Sequence, residues 1–255
     1  MPKVRAGDLE VFWIERGAGA PVIFCHGNWS TSSWWEPALE RLPTGVRGIA
    51  YDMRGRGRTV GPDSSYSIPS LAGDLVSFAD ALGLADFHLV GHSLGSAVAM
   101  QVALDCPGRP RSLTALSPAW IDGLPPVFDN AAHQRALSAD PGILARALGP
   151  LAPACPRDAF WERLIAEGHG QRLEAALLNL DALRQWIPGD RLGTLKIPTT
   201  VISGALDILI GAETPRRVAA AMNASHVVLP SVGHCAQIEA PDAFAEALWR
   251  TIKTM

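Results

Sequence analysis

Three residues far apart in the chain have the types and local settings for acyl transfer: Ser93, Asp207 and His234. A serine hydroxyl is a poor nucleophile at neutral pH unless a base stands within hydrogen-bond reach and a third group orients that base. Ser93 sits in Gly91-His92-Ser93-Leu94-Gly95, Asp207 in Gly204-Ala205-Leu206-Asp207, and His234 in Ser231-Val232-Gly233-His234. The apolar run Phe87-His88-Leu89-Val90 precedes the first stretch, and small, helix-compatible residues follow it. That reads as strand, sharp turn and helix, with a serine hydroxyl projecting above a sheet edge from the apex. The two glycines let strand and helix approach more closely than side chains would permit. Gly-x-Ser-x-Gly alone arises by chance too often to prove anything. The elements that position it decide its meaning.

The continuous apolar run at residues 21–25 predicts a strand covered on both faces, and residues 47–51, 87–90, 111–116, 199–204 and 226–229 predict further strands. Residues 9–14 predict an edge strand. Helical spacing predicts helices over 34–42, 71–82 (capped by Ser70, ended by Gly83), 96–104, 214–222 and 241–252. Residues 121–195 are rich in Ala, Leu and Pro, with helical patterns over 131–137, 143–148, 159–167 and 173–186. No strand pattern interrupts them. The alternation predicts an α/β fold with a mostly parallel, doubly covered sheet built from residues 1–120 and 196–255. Residues 121–195 are then a helical cap inserted over one end of the sheet. Loops leaving parallel strands open at one edge, where α/β proteins assemble sites, so Ser93, Asp207 and His234 should converge there.

The 255 residues carry a net charge of −3 and are 48% hydrophobic and 18% charged, which describes a globular protein with a sizeable core. This balance offers no electrostatic footprint for nucleic acid or an anionic membrane. The first residues lack the apolar core of a signal peptide, and no apolar run reaches bilayer-spanning length. Cys25, Cys106, Cys155 and Cys235 form no Cys-x-x-Cys pair, so they read as reduced thiols of a cytoplasmic protein without a zinc or redox motif. The basic cluster in Asp52-Met53-Arg54-Gly55-Arg56-Gly57-Arg58 matches no phosphate-binding pattern. It predicts a structural turn whose arginines pair with nearby acids.

Five motifs, in order, resemble those of the α/β-hydrolase family over essentially the whole chain. His26-Gly27 resembles the family's oxyanion loop, and Asp52-Met53-Arg54-Gly55-Arg56-Gly57 its Asp-x-Arg-Gly-x-Gly turn. Gly91 to Gly95 resembles its nucleophile elbow, Gly204 to Asp207 its acid loop and Gly233-His234 its histidine loop. The run Ile208-Leu209-Ile210 departs from the family pattern, in which a proline often stands.

The resemblance implies a Ser-His-Asp triad without metal or organic cofactor, with the oxyanion held by the backbone N–H groups of Asn28 and Leu94. The expected reaction is hydrolysis of a carboxylic ester, lactone or thioester of a small to medium apolar substrate. A cofactor-free perhydrolase or carbon–carbon bond hydrolase on the same triad is the alternative enzyme. A hydrolase-fold ligand receptor with little turnover is the alternative of another class. Asp122 stands as a second candidate acid. Trp29 and Trp120, at strand ends, are candidates for substrate binding, with core packing as the competing role. His26 and His92 stand at positions that orient loops, while His88, His133, His169 and His226 read as ordinary core or surface residues. The expected partner is a small molecule, neither nucleic acid nor membrane. Oligomeric state leaves no readable trace in the sequence.

Overall fold

A computed structural model describes residues 2–253. The strands are β1 (Lys3–Ala6), β2 (Leu9–Gly17), β3 (Gly19–Cys25), β4 (Gly45–Tyr51), β5 (Phe87–His92), β6 (Pro110–Leu116), β7 (Thr199–Gly204) and β8 (Ser225–Leu229). They form one sheet in the order β1-β2-β4-β3-β5-β6-β7-β8. From β4 across to β8 every neighbouring pair is parallel, whereas β2 is antiparallel to both β1 and β4. The expected α/β architecture holds. One detail is corrected: β2 is not the edge, because its first half pairs with β1. Lys3-Val4-Arg5-Ala6 is too short and too polar to announce itself by alternation, and its charges suit an edge that must resist further pairing.

The helices are α1 (Glu36–Leu39), α2 (Ile68–Ala81), α3 (Leu94–Asp105), α4 (Ala131–Ala139), α5 (Pro141–Leu148), α6 (Ala159–His169), α7 (Leu173–Gln185), α8 (Glu213–Met222), α9 (Ala236–Glu239) and α10 (Pro241–Ile252). The helix expected over 34–42 is instead a 3-10 turn, Ser32–Trp35, followed by the single turn of α1. Ser67, not Ser70, caps α2, accepting from the Ser70 N–H. Pro69 in the first turn explains the earlier start, since proline needs no N–H partner there.

The period-two geometry of β3 shows why its run is wholly apolar. Ile23 and Cys25 join a core with α2, α3 and α8, while Val22 and Phe24 join one with α1 and α10. Helices α4 to α7 lie between β6 and β7 in sequence, and no strand interrupts them among the described residues. They contribute a third apolar cluster that takes in Trp29, Trp34, Cys235 and Ile238 from the segments that follow β3 and β8. Arg163 on α6 pairs with Glu36 on α1, and Glu167 accepts from Thr31 Oγ1 at 2.7 Å. Among the described residues no helix is long and apolar enough to cross a membrane.

Candidate active site

Ser93 stands between β5 and α3 at φ 52° and ψ −121°. Non-glycine residues rarely adopt such a conformation, which stores about 1–3 kcal/mol of strain. The surroundings enforce it. A Cβ on Gly91 would overlap the Gly95 carbonyl, and one on Gly95 would overlap the carbonyls of Cys25 and His26. The Ser93 N–H donates to Leu116 O at 3.0 Å. Ser96 Oγ donates to Ser93 O at 2.6 Å and accepts from the Ala119 N–H at 2.8 Å, tying the elbow to the loop that carries Trp120. Leu94 opens α3, so its N–H has no intrahelical acceptor.

The loop after β7 brings Asp207 to the loop after β8. Asp207 Oδ2 accepts from His234 Nδ1 at 2.8 Å, and Oδ1 accepts from the N–H groups of Leu209 at 2.9 Å and Ile210 at 3.3 Å. The run that departs from the family pattern therefore supplies two donors, which proline at either position would lack. Burial pushes the Asp207 carboxyl up, but the charge and hydrogen bond of His234 and the two N–H groups outweigh it. The carboxyl ends below its ordinary range. With Nδ1 committed to Asp207, His234 keeps Nε2 for other work. Asp122 lies on the surface, paired with Arg217 at 2.5 Å, and does not meet His234.

The backbone of His234 is held from both sides. Its N–H donates to Leu151 O at 2.7 Å, and its carbonyl accepts from His92 Nε2 at 3.0 Å. Burial drives the pKa of His92 well below the usual imidazole value, so it stays neutral. The Glu239 carboxylate accepts from the N–H groups of Gly233 at 3.0 Å, Cys235 at 2.9 Å and Ala154 at 3.1 Å. Sequence reasoning missed Glu239, which carries no motif of its own.

The loop after β3 is braced by His26. Its Nε2 accepts from the Met53 N–H at 3.1 Å, which leaves Nδ1–H to donate to Gly27 O at 2.8 Å. Burial, with the charge of Arg56 second, lowers the His26 pKa to about 3. Arg54 pairs with Asp74 and Asp8, as expected of a structural turn. Arg56 departs from that expectation: it is buried, has no acidic partner among the described residues, and donates to Arg54 O at 2.9 Å.

Asn28 and Trp29 follow. The Asn28 N–H makes no hydrogen bond among the described residues. Asn28 Oδ1 accepts from Gln171 Nε2 and Asn179 Nδ2, each at 3.0 Å. Trp29 is buried at φ 54°, its backbone N–H donating to Gln171 Oε1 at 3.0 Å and its indole Nε1 to Gln134 Oε1 at 2.8 Å. Trp120 stacks on Phe128 with ring centroids 5.0 Å apart.

Asn28, Trp29, Ser93, Leu94, Trp120 and His234 all line one cavity of about 470 Å³. Leucines 124, 137, 148, 151, 180, 183 and 209 supply much of the remaining wall. No Asp, Glu, Lys or Arg lines it among the described residues. Ser93 Oγ makes no hydrogen bond to the described protein atoms; such contacts often tighten only around substrate. No group of three or more His, Cys, Asp or Glu that could hold a metal ion occurs among the described residues.

Comparison with known proteins agrees with this architecture. The model of the alpha/beta hydrolase family matches residues 22–247. A protein of Klebsiella pneumoniae subsp. pneumoniae with the provisional name carbamate hydrolase RutD is 32% identical over 241 residues, 89% of each chain. A protein of the same provisional name from Azorhizobium caulinodans is 26% identical over 258 residues, 97% of each chain. Among solved structures, Est816, described as an N-acyl homoserine lactone degrading enzyme, is 26% identical at a TM-score of 0.80, covering 98% of this chain and 99% of its own. The enol-lactonase of Burkholderia xenovorans LB400 reaches a TM-score of 0.87 at 21% identity, covering 98% of this chain and 99% of its own. This chain belongs to the alpha/beta hydrolase family.

Proposed function

We propose that this protein is a serine hydrolase that cleaves an ester, lactone or thioester of a small to medium apolar substrate through an acyl-enzyme. One observation carries the reading. The strained Ser93 turn and the hydrogen-bonded His234–Asp207 pair open on the same apolar cavity. In this reading Ser93 Oγ attacks the acyl carbonyl carbon while its proton passes to His234 Nε2, and Asp207 stabilises the imidazolium. The N–H groups of Leu94 and Asn28 receive the oxyanion, where losing one donor typically lowers turnover ~10²–10³-fold. His234 then protonates the leaving alcohol or thiol. A water attacks the acyl group, gives its proton to His234, and releases the acid as Ser93 is re-protonated. Residues 121–195 act as a lid that excludes bulk water, with Trp29 and Trp120 shaping the apolar wall.

A carbamate is the second reading, favoured by the provisional name of relatives such as that from Klebsiella. The chemistry is the same with a carbamoyl group on Ser93. A fluorophosphonate probe should label Ser93, and a panel of p-nitrophenyl esters, lactones and aryl carbamates should lose turnover in Ser93→Ala. Turnover surviving that substitution, or a label mapping to another residue, would sink the reading. Negligible turnover in both proteins with tight ligand binding would favour a receptor.

A further inference from the structure

Trp29 has two N–H groups, and each grips a carboxamide by its oxygen. An N–H can only donate, so the contacts fix which end of each amide faces Trp29. Gln171 turns Oε1 to the Trp29 backbone, which directs its Nε2 to Asn28 Oδ1. That oxygen also accepts from Asn179 Nδ2. The Asn28 amide is therefore pinned by its oxygen, with Nδ2 left over. Gln134 gives Oε1 to the Trp29 indole in the same way, leaving Nε2 over. Neither nitrogen has a hydrogen-bond partner among the described residues, and both side chains line the cavity that holds Ser93. Gln134 is more than nine-tenths buried, with 8% relative exposure.

We propose that Asn28 Nδ2 and Gln134 Nε2 form a second recognition point, for a neutral oxygen of the substrate other than the one held at Leu94 and the Asn28 N–H. A plain alkyl chain against them would leave buried donors unpaired, which sites built to hydrogen-bond discriminate against strongly. A carboxylate fits poorly, because no Lys or Arg among the described residues of the cavity replaces its lost water. The substrate class is then an uncharged acyl compound with a second carbonyl or similar acceptor on an otherwise apolar chain. That the scissile group is an ester, lactone or thioester rests on the hydrolase reading; the recognition point does not.

The test is binding to the Ser93→Ala protein, followed by quenching of tryptophan fluorescence, since Trp29, Trp34 and Trp120 line the cavity. Matched esters are compared: ethyl acetoacetate with ethyl butyrate, ethyl levulinate with ethyl valerate, and ethyl 5-oxohexanoate with ethyl hexanoate. At least one oxo ester should bind ~10-fold tighter than its plain partner. The advantage should vanish in Gln134→Glu and Asn28→Asp, which keep the oxygens toward Trp29, Gln171 and Asn179 but remove the free N–H groups. Gln134→Leu should abolish it without adding charge. No advantage in any pair, or an advantage that survives all three substitutions, overturns the proposal. Turnover of the same esters by the unmodified protein separately tests the hydrolase reading, so either can fail alone.

Discussion

His234 Nδ1 lies 2.8 Å from Asp207 Oδ2, and two backbone N–H groups occupy the other oxygen of the same carboxylate. An asparagine at 207 would offer an NH₂ where His234 already offers its Nδ1–H, so the imidazole would turn to the wrong tautomer. Asp207→Asn should therefore lower kcat about 10⁴-fold with melting nearly unchanged. Asp122→Asn should leave kcat intact, because Asp122 pairs with Arg217 at the surface. Steady-state rates on a p-nitrophenyl ester check both, and the opposite pattern would move the acid to Asp122.

Ser93 trades stability for position. Its φ of 52° suits glycine better than any side chain. Ser93→Gly and Ser93→Ala should both abolish turnover. Ser93→Gly should be more resistant to urea than Ser93→Ala by about 1 kcal/mol, because only glycine relieves the strain. Equal unfolding midpoints would mean that the turn is not strained.

Gly95 has the opposite character, since a Cβ there would press on the carbonyls of Cys25 and His26 rather than on a flexible side chain. Gly95→Ala should destabilise by about 1–3 kcal/mol and push the Ser93 turn away from the His26 loop. Thermal melting and fluorophosphonate labelling of Ser93 should fall together. A variant that melts and labels like the unmodified protein contradicts the packing described.

Stability should fall on acidification through His26. Its folded pKa of about 3 lies below the ordinary 6.5, so from pH 6.5 downward the unfolded chain binds a proton that the folded chain refuses. Stability is then lost at up to ~1.4 kcal/mol per pH unit between those values. Asp207 acts in the same direction only at lower pH, because its folded pKa is depressed below 3.8. Urea midpoints measured from pH 7 to pH 4 should decline, and His26→Asn should flatten the slope by close to one proton.

Glu239 accepts from Gly233, Cys235 and Ala154, the N–H groups on either side of His234 and on the segment beside Leu151. Glu239→Gln has one acceptor oxygen for these donors and should lower kcat roughly 10-fold with KM little changed. Glu239→Ala should approach 10²-fold, the scale of a small misplacement of a reacting group. A change confined to melting temperature would reduce Glu239 to a structural role.

The central strands were legible because burial on both faces favours apolar residues in them, as in Val22 to Cys25. β1 escaped notice because four residues with two exposed charges carry no periodic signal. The single turn of α9 was equally silent, being too short to show a helical period.

The same division runs through the candidate site. Sequence alone determined the fold class and singled out Ser93, Asp207 and His234 as candidates, because tight turns and strand ends demand local residue types. Ser93 between Gly91 and Gly95 is the clearest case, since backbone contact excludes any Cβ at either glycine. Only the tertiary structure put Asp207, and not Asp122, against His234, and revealed Trp29 holding Gln134 and Gln171. Those partners stand 105 and 142 residues from Trp29. Hydrogen bonds at such separation are set by how the elements pack, and a lone glutamine in a helical pattern reads the same whether it faces water or an indole N–H.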